Sequence, residues 1–484
     1  MLFLGIDVGT TAVKVSLFDE QGGLVASWGR DYPTRRASGG VVEQNPQHWL
    51  DCIAAAIAEF ESQVGLDAVR AVGICSQVNT HVFVGGDSVA LADAFVWQDT
   101  RAAGEAAVLS ATITSAEAAR WWSSPVPVDA SHALPRMQWM RERQPQLWDK
   151  TRYVLSPKDY CILRLTGSAV SDPISSVGLV DPCLKYIDEL IGRVPGASER
   201  LPPLKPFESI AGTMSLGSKK RPVPVVTGTM DAWASLFGAG AYSPGSGLYM
   251  SGTSEILALV GFDRIGAPGV VTFPSIDRAV VSAGPTQSGG DSIRWWAQAT
   301  GRPPAEVFAA ATRADRSGDP ILFLPHLEGE RAPLWDSTLR GAFIGISSRT
   351  GDAELALAVL EGIALSARLV LASLEVAAGL KPDTLLYGGG GSKADLWSQI
   401  RADCLGIPLR RLAVGDVGCL GVAVLAAVGV GVFRQLCDAV GSMSRVKDRF
   451  EPNPHFRDRY DRMYQAYREA TGALGPISRR MKAI

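Results

Sequence analysis

A short glycine turn near the N-terminus carries residue types suited to binding a phosphate. The apolar residues 2–6 lead to Asp7, and Gly9 opens a turn before an alternating strand. Glycine lets main-chain N–H groups approach an anion, while a carboxylate suits hydrated Mg²⁺, which takes only one or two. An ordinary tight hairpin with a solvent-facing Asp is the alternative, and this turn alone does not separate the two. The remaining phosphate donors of the turn are Thr10, Thr11 and Lys14.

A second stretch repeats this plan in the other half of the chain. Residues 248–251 lead into Gly252, Thr253 and Ser254, and another apolar strand pattern follows. Two such hairpins indicate two related halves that grip the phosphates of one nucleotide from both sides and exclude water. Further on, a predicted strand is followed by glycines that offer a flat surface for a base and ribose, or form only a flexible turn. These residues are Gly389, Gly390 and Gly391, followed by Ser392.

A carboxylate also ends the buried strand predicted for residues 222–231. This residue, Asp231, is the candidate general base. A sugar hydroxyl has a very high pKa, so a carboxylate accepts its proton only as the new bond to phosphorus forms, and positioning matters more than basicity. An Asp that caps the following helix is the structural alternative, and the two roles are compatible.

Polar side chains follow two further predicted strands. Gln77 and Asn79 come after the first, and Trp97 and Asp99 come after the second. In open α/β sheets, ligands collect at the carboxyl ends of strands. An indole face with hydroxyl-matching donors and acceptors predicts a sugar pocket. A core Trp with capping polar residues fits the same pattern.

The composition narrows the class of protein. The chain has 484 residues, of which 46% are hydrophobic and 20% charged, so more than one ordinary globular domain is expected. A net charge of −2 predicts no binding to nucleic acid or to an anionic membrane. The seven cysteines and five histidines lack paired spacing, which argues against zinc sites and disulfides. No basic region precedes the N-terminal apolar residues, so we expect no signal peptide and a cytoplasmic location.

Two apolar segments need to be considered as membrane spans. Charged residues interrupt residues 352–378, and Gly379 follows where a helix would end, so a buried soluble helix is predicted. Residues 417–433 fall short of the roughly 18 residues of a span and contain four glycines, so a helix packed closely on a sheet or a ligand is predicted. The chain also lacks P-loop and Rossmann glycine motifs.

In this order the segments resemble the FGGY family of carbohydrate kinases, within the superfamily of the actin and sugar-kinase fold. The resemblance covers nearly the whole chain, and it depends on the order and spacing of the motifs rather than on any one of them. Besides the segments above, it includes Trp-Gln-Asp-Thr-Arg at 97–101, Pro-Lys-Asp-Tyr at 157–160, Leu-Thr-Gly at 165–167 and Gly-Glu-Arg-Ala-Pro at 329–333.

The resemblance implies two ribonuclease-H-like α/β domains that flank a nucleotide cleft, and a kinase that uses ATP and Mg²⁺ to phosphorylate a sugar hydroxyl. Residues 1–240 would form the N-terminal domain, with the sugar site and the base, and 241–484 the nucleotide-binding C-terminal domain. Asp231 matches the family's catalytic Asp, and Asp7 its magnesium-associated Asp. By the same resemblance, Thr10, Thr11, Lys14, Gly252, Thr253, Ser254, Gly389, Gly390, Gly391 and Ser392 bind the nucleotide, and Gln77, Asn79 and Trp97 bind the sugar.

The resemblance is greatest to the xylulokinases of this family, with two departures. They usually have Gln-Met-His where this chain has Gln77-Val78-Asn79, and Asp-Asn where it has Asp231-Ala232. Both lie at sugar-contacting positions, so the choice between D-xylulose and another ketose or polyol, of the ribulose, glycerol or erythritol type, stays open. A non-catalytic sugar sensor and a chaperone- or filament-like ATPase of this fold are further alternatives, and the intact Asp231 favours a kinase. The oligomeric state is open, and a homodimer is one option.

Overall fold

The structure is a computed structural model that describes residues 1–122, 128–276 and 278–482. The chain divides into two compact units. Unit 1 comprises Met1–Gly240 and Asp416–Ser444, and unit 2 comprises Ala241–Gly415 and Arg445–Ile484. Each unit combines a mixed β-sheet with helices, so the predicted α/β class is confirmed.

The strands of the described chain follow one another in this order. They are β1 (Leu2–Val8), β2 (Ala12–Asp19), β3 (Leu24–Asp31), β4 (Arg35–Ala37), β5 (Val41–Gln44), β6 (Val69–Ser76), β7 (Val82–Gly85), β8 (Ala94–Phe95), β9 (Thr151–Leu155), β10 (Ile210–Leu216), β11 (Arg221–Val226), β12 (Thr229–Met230), β13 (Gly247–Ser251), β14 (Glu255–Gly261), β15 (Val271–Thr272), β16 (Val280–Pro285), β17 (Leu322–Leu324), β18 (Ala342–Ile344), β19 (Leu385–Gly388), β20 (Leu409–Leu412) and β21 (Val446–Phe450).

The α-helices of the same residues are given next in chain order. They are α1 (Pro46–Gln63), α2 (Ala103–Ala111), α3 (Ser115–Trp121), α4 (Ala133–Arg143), α5 (Pro145–Lys150), α6 (Pro157–Thr166), α7 (Asp188–Ile191), α8 (Asp231–Ala239), α9 (Gly290–Ala299), α10 (Pro304–Thr312), α11 (Asp352–Ala378), α12 (Asp395–Leu405), α13 (Val417–Gly429), α14 (Leu436–Met443) and α15 (Arg457–Lys482).

The main sheet of unit 1 places the first hairpin at its centre. Its strand order is β10-β11-β6-β1-β2-β3, and β12 also pairs with β6. β1 runs antiparallel to β2 and parallel to β6. Val13, Val15 and Leu17 are fully buried, as the alternation along β2 predicts. The carboxyl ends of β1 and β6 therefore meet at one edge of the sheet, and β12 adds its own end beside β6.

The main sheet of unit 2 repeats the pairing pattern. Its order is β15-β16-β14-β13-β19-β20-β21. β13 runs antiparallel to β14, as β1 does to β2, and parallel to β19, as β1 does to β6. The expectation of two related halves is met at the level of strand order. The second Gly-Thr hairpin and the glycine run after β19 consequently lie at the same edge of this sheet.

One segment lies in a different unit from the one that the division at residue 240 assigns to it. Asp416–Ser444 belongs to unit 1, although the chain reaches it after most of unit 2. The reason is close packing of α13 on the sheet: a Cβ at Gly5 would lie 1.9 Å from the carbonyl oxygen of Cys419, and a Cβ at Gly73 would lie 2.0 Å from that of Val422. Glycines in β1 and β6 therefore let the helix touch the sheet backbone, as predicted for this glycine-containing segment.

The long apolar helix α11 is a core helix of unit 2. By length and composition alone this helix is suited to cross a membrane, but most of its apolar stretch is buried inside the protein. It contacts α10, α12, β14 and β17. This agrees with the prediction of a buried helix ending at Gly379, which adopts a left-handed φ of 66°.

Candidate active site

The first Gly-Thr hairpin joins β1 to β2 in unit 1. Asp7 lies opposite Lys14 in the strand pairing. The N–H of Gly9 donates to the carbonyl oxygen of Ala12 at 3.1 Å, and the Tyr32 hydroxyl donates to the carbonyl oxygen of Gly9. A Cβ at Gly9 would lie 3.2 Å from the same Ala12 oxygen, so a side chain would crowd the turn. The protein itself therefore holds the turn in shape.

Asp7 is the acidic group beside this turn. Its Oδ1 is buried and has no hydrogen-bond partner among the described residues. Burial raises the pKa of Asp7 to about 6, against the opposing effects of the Lys14 charge and a hydrogen bond with Cys75. Lys14 Nζ lies 3.1 Å from Asp416 Oδ1, at the N-terminus of α13. A Cβ at Gly418 would lie 3.3 Å from Asp7 Oδ2, so the first turn of this helix reaches the carboxylate.

Asp231 is the first residue of α8 and follows β12 directly. Its Oδ1 accepts a hydrogen bond from the N–H of Ala232 at 2.7 Å. Met230, not Asp231, is the residue at the N-cap position, so the simple capping alternative does not describe this helix. Burial raises the pKa of Asp231 to about 7, and the charge of Asp7 adds to the effect. The charge of Asp7 thus disfavours ionisation of Asp231.

Gln77 and Trp97 are tied to the first hairpin by hydrogen bonds. Gln77 Nε2 donates to Gln44 Oε1 at 2.8 Å, and Gln44 Nε2 donates to the carbonyl oxygen of Thr10 at 2.8 Å. Trp97 Nε1 donates to Thr10 Oγ1 at 3.0 Å. Gln77 Oε1 is buried without a hydrogen-bond partner. The structure therefore brings Thr10, Gln77 and Trp97 together, with one amide oxygen still able to accept a hydrogen bond.

Asp99 is occupied by contacts within the protein. Its carboxylate accepts hydrogen bonds from the N–H of Val42 at 2.8 Å and from the N–H and Nε of Arg101 at 3.0 Å each. It also forms an ion pair with Arg101 Nη2 at 2.7 Å, and Arg101 pairs with Glu43. Asp99 is 1% exposed. The geometry differs from the expected direct sugar contact, because Asp99 instead fixes Arg101 and β5.

Asn79 is held by a buried arginine behind it. It has a positive φ of 55°, and its Nδ2 donates to Ser131 Oγ at 3.2 Å. Arg136 donates to the carbonyl oxygens of Asn79 at 2.6 Å, Phe95 at 2.9 Å and Val96 at 2.6 Å. Burial lowers the pKa of Arg136 to about 9. The guanidinium thus ties the Asn79 segment to the end of the strand that precedes the indole.

The second Gly-Thr hairpin joins β13 to β14 in unit 2. The N–H of Gly252 donates to the carbonyl oxygen of Ser254, two residues on, at 2.9 Å, whereas in the first hairpin the N–H of Gly9 donates to Ala12, three residues on. The start of α9 supports this turn, since the N–H of Gly290 donates to the oxygen of Gly252 at 2.9 Å and that of Asp291 to the oxygen of Thr253 at 3.1 Å. Both predicted hairpins therefore exist, each closed by a hydrogen bond from the N–H of its glycine, and the second turn is one residue shorter.

The glycine run after β19 packs on this second hairpin. A Cβ at Gly389 would lie 2.3 Å from the carbonyl oxygen of Ser251, and a Cβ at Gly391 would lie 2.2 Å from Ser251 Oγ. Ser392 Oγ donates to the carbonyl oxygen of Gly389 at 2.7 Å. A Cβ at Gly390 would meet no atom within 4 Å, so that face is open. Close backbone approach, rather than flexibility, accounts for the glycines.

The set of charged groups suits a magnesium ion held partly by phosphate. In the residues that the structure describes, no cluster of three or more His, Cys, Asp or Glu side chains is able to hold a metal. Mg²⁺ bound to a nucleotide needs only one or two protein carboxylates. Asp7, with a buried oxygen that lacks a partner, fits that requirement.

Several residues that shape these sites were not identified from the sequence. Gln44 ends β5, directly before Asn45, the N-cap residue of α1. Arg136 and Arg401 lie within helices, where an arginine is normally a surface residue. Asp416 lies directly before the apolar segment at residues 417–433. A polar residue at a strand end was the available signal for Gln44, and nothing local marks the others.

Comparison with known proteins agrees with this arrangement. Residues 2–238 match the model of the N-terminal domain of the FGGY family of carbohydrate kinases, and residues 248–430 match that of its C-terminal domain. A xylulose kinase of Klebsiella pneumoniae is 30% identical, over 89% of this chain and 90% of its own length. A xylulose kinase of Escherichia coli K12 is 29% identical, over 96% and 99%. The crystal structure of a xyloylose kinase from Brucella ovis superposes with a TM-score of 0.88 at 26% identity, covering 99% of this chain and 100% of that one.

Proposed function

The chain belongs to the FGGY family of carbohydrate kinases, and from that we propose that it phosphorylates D-xylulose with ATP, using Asp231 as the general base. The similarity to xylulose kinases over nearly the whole length supports the choice of a ketopentose. A kinase that consumes ATP works where ATP is abundant, so we place the enzyme in the cytoplasm.

The observation that carries the proposal is the Asp231 carboxylate at the end of β12. As the hydroxyl oxygen of the sugar bonds to the γ-phosphorus, its proton passes to Asp231, and the bond to the β-phosphate oxygen breaks to release ADP. Burial and the Asp7 charge raise the pKa of Asp231 to about 7, which brings its basicity closer to what proton acceptance at neutral pH requires. Above that pH the group is ionised and ready to accept.

Asp7 and the first hairpin are proposed to hold the phosphates. Asp7 supplies the carboxylate for Mg²⁺, which when bound neutralises charge on the phosphates of ATP. Thr10 and Thr11 supply hydroxyl donors, and the N–H groups of the turn are already oriented by its internal bond. Lys14 supplies a cation that is 48% exposed in its side chain despite its pair with Asp416. These groups bind and orient the phosphates, and the proton step belongs to Asp231.

In unit 2, we assign nucleotide binding to the second hairpin and to the glycine run. Gly252, Thr253 and Ser254 present a turn that, like the first hairpin, is closed by a hydrogen bond from the N–H of its glycine. Gly389 to Ser392 pack against the start of that turn, and the open face at Gly390 admits a flat ligand. The short contacts to Ser251 support a single site built by the two segments rather than two separate ones.

The sugar is assigned to Gln77, Asn79 and Trp97 of unit 1, near the base. Gln77 offers a buried amide oxygen without a partner, which suits a sugar hydroxyl donor. Trp97 offers its indole face while Nε1 bonds Thr10. Asp99 acts through Arg101 and Val42 rather than on the sugar.

Another ketose or polyol is the second candidate substrate, and two positions favour it. Asn79 Nδ2 already donates a hydrogen bond to Ser131 Oγ, so the side chain offers fewer hydrogen-bond donors to a sugar than a free amide does. Ala232 has no polar side-chain atom beside the base. A substrate hydroxyl buried without a partner costs on the order of 1–3 kcal/mol. D-Ribulose, glycerol or erythritol would lose less binding free energy than D-xylulose if the hydroxyl that finds no partner is one that they lack or orient differently.

ATP consumption by the purified full-length chain tests the function. D-Xylulose, D-ribulose, hexuloses, glycerol and erythritol are compared at several concentrations, with a reaction lacking sugar as the control. We expect ATP turnover that depends on sugar, with a ketopentose among the substrates. Equal turnover without sugar would instead identify a chaperone- or filament-like ATPase, and sugar binding without turnover would identify a sensor.

A further inference from the structure

A buried ion cluster lies in unit 1 behind the segment that carries Asp231. The ammonium of Lys158 contacts Asp159 Oδ1 at 2.5 Å and Asp172 Oδ1 at 2.9 Å, and it donates to the carbonyl oxygen of Thr227 at 3.3 Å. The side chains of Lys158 and Asp172 are 0% exposed and that of Asp159 is 2% exposed. Burial lowers the pKa of Lys158, but the charges of Asp159 and Asp172 outweigh this and raise it.

The cluster reaches the base through one hydroxyl group. Asp172 Oδ2 accepts a hydrogen bond from Thr229 Oγ1 at 3.0 Å and from the N–H groups of Ile174 and Ser175 at 3.1 and 3.0 Å. Thr229 is fully buried and stands two residues before Asp231. The side chain of Thr229 therefore anchors the last strand residues before the base.

The main chain before the base has little room to adjust. Gly228 has a left-handed φ of 66°, and a Cβ there would lie 1.9 Å from the carbonyl oxygen of Ile74. Thr229 pairs with Cys75, and Met230 with Ser76, in the parallel ladder between β12 and β6. Small shifts of this segment would therefore be passed on to the carboxylate at the start of α8.

The same cluster also contacts the start of the sugar segment. The N–H of Lys158 donates to Ser76 Oγ at 3.1 Å, directly before Gln77. One cluster thus fixes the ends of both β6 and β12. Buried ion pairs are on balance weak contributors to stability, because desolvation offsets most of their attraction. Stability alone is therefore a poor account of three buried charges, whereas fixing two strand ends is a specific task.

We propose that Thr229 is a positioning residue for phosphoryl transfer, because its hydroxyl, held by Asp172 and through it by Lys158, sets the position of the Asp231 carboxylate. This rests on the proposed role of Asp231 as the base. Because Gln77 is held by Gln44, loss of the Thr229 hydroxyl changes the turnover step and leaves sugar binding nearly intact.

The test compares Thr229→Val, which keeps the shape and removes the hydroxyl, with Thr229→Ser, which keeps the hydroxyl. Thr229→Ala removes the hydroxyl without β-branching and serves if the Val variant does not fold. Thr272→Val is the matched control, since Thr272 is also buried and its Oγ1 bonds Ser282 Oγ at 3.0 Å in unit 2. Asp231→Asn is measured in the same series, and melting temperatures report folding.

We expect Thr229→Val and Thr229→Ala to lower kcat roughly fivefold to tenfold, the effect of one hydrogen bond. KM for the sugar and for ATP should stay within about twofold, and Thr229→Ser and Thr272→Val should keep wild-type kcat within about twofold. Unchanged kcat in both hydroxyl-free variants, or a rise in sugar KM without a fall in kcat, would overturn the proposal. Near-wild-type turnover of Asp231→Asn would show that Asp231 is not the base. A positioning role for Thr229 would then have no basis.

Discussion

Each of the two Gly-Thr hairpins is closed by a hydrogen bond from the N–H of its glycine, but the carboxylates beside the two turns have different partners. In the described residues of unit 1, Asp7 and Asp231 form no ion pair, and their pKa values are raised to about 6 and about 7 by burial, with opposing and reinforcing charges nearby. In unit 2, Glu255 at the start of β14 is fully buried and pairs with Arg401, while Tyr249 donates to it at 2.6 Å.

This difference matches the chemical roles proposed for Asp7 and Asp231 and the structural contacts of Glu255. Among the described residues Asp7 and Asp231 have no ion-pair partner, and their raised pKa values leave them able to take up a proton or, once ionised, to bind a metal ion. Arg401 neutralises the charge of Glu255. Arg401 also donates to Ser251 Oγ at 2.7 Å and so fixes the stem of the second hairpin. The similar backbone plans of the two hairpins therefore do not imply similar chemistry. The groups that pair with each nearby carboxylate determine its role.

The largest effect is expected from breaking the unit 2 pair with Arg401→Met. This change leaves Glu255 buried without its cation, which costs about 3–5 kcal/mol. The melting temperature should fall by roughly 10 °C, measured by calorimetry. Arg449→Met is the matched control, because Arg449 pairs with Glu451 on the surface, where such pairs contribute about 0–1 kcal/mol. Equal melting temperatures of the two variants would mean that Glu255 does not depend on Arg401.

The next effect is on turnover, through Asp231→Asn in unit 1. Loss of the proton acceptor should lower kcat by roughly 10²-fold or more while sugar binding stays measurable. In the wild type, kcat/KM should fall as the pH drops below about 7, because protonated Asp231 accepts no proton. Asp67→Asn, at an exposed ion pair of the same unit, should keep full activity. Near-wild-type turnover of Asp231→Asn would exclude it as the base.

Asp231→Asn should also stabilise the protein at high pH, whereas Arg401→Met should destabilise it. The pKa of Asp231 is raised from 3.8 to about 7, so the folded state holds its proton over a range in which the unfolded chain has lost it. Stability therefore falls as the pH rises from about 4 to about 7. With a chelator and without nucleotide, Asp231→Asn at pH 8 should gain on the order of 1–3 kcal/mol, discounted because Asp231 is partly exposed.

If Asp231→Asn is more stable than the wild type at pH 8 but not at pH 4, this origin is supported. At pH 4 the wild-type Asp231 is protonated, so the wild type and the variant both carry an uncharged group at position 231. A loss of stability at pH 8 would show that Asp231 is neutralised in the folded protein after all, and the contrast between the two units would fail.

The smallest effect concerns sugar choice at Asn79 and Ala232. Asn79→His with Ala232→Asn supplies a ring donor and an amide that this chain lacks. We expect the ratio of kcat/KM for D-xylulose over the best alternative substrate to rise roughly tenfold, the scale of one regained hydrogen bond. The single variants serve as controls for additivity. An unchanged ratio in the double variant would show that these positions do not set specificity.

Much of the fold was predictable because its signals are local. The turn at Gly9 and the end of α11 at Gly379 depend on neighbouring residues alone, and each occurs where predicted. The repeated hairpin followed from a repeated residue pattern, and the α/β class from the resemblance to the FGGY family. The positions of Asp7 and Asp231 at strand ends were likewise readable from the sequence.

The rest depends on contacts between residues far apart in the chain. The placement of α13 in unit 1 follows from close backbone approach at Gly5 and Gly73, which no local pattern reveals. Asp99 was expected to face a sugar, but the N–H of Val42, distant in sequence, occupies it together with the neighbouring Arg101. Lys158 belonged to a recognised motif, yet its partner Asp172 was not marked as one.

The return of the chain to unit 1 at Asp416–Ser444 has a consequence for synthesis on the ribosome. When residues 1–240 have emerged, the faces of β1 and β6 that α13 will cover still lack their helix. These apolar surfaces stay open while the next 175 residues, Ala241–Gly415, are translated. The nascent first unit is therefore a natural client for chaperones, and a gene truncated after residue 240 would yield an aggregating fragment rather than a smaller sugar-binding protein.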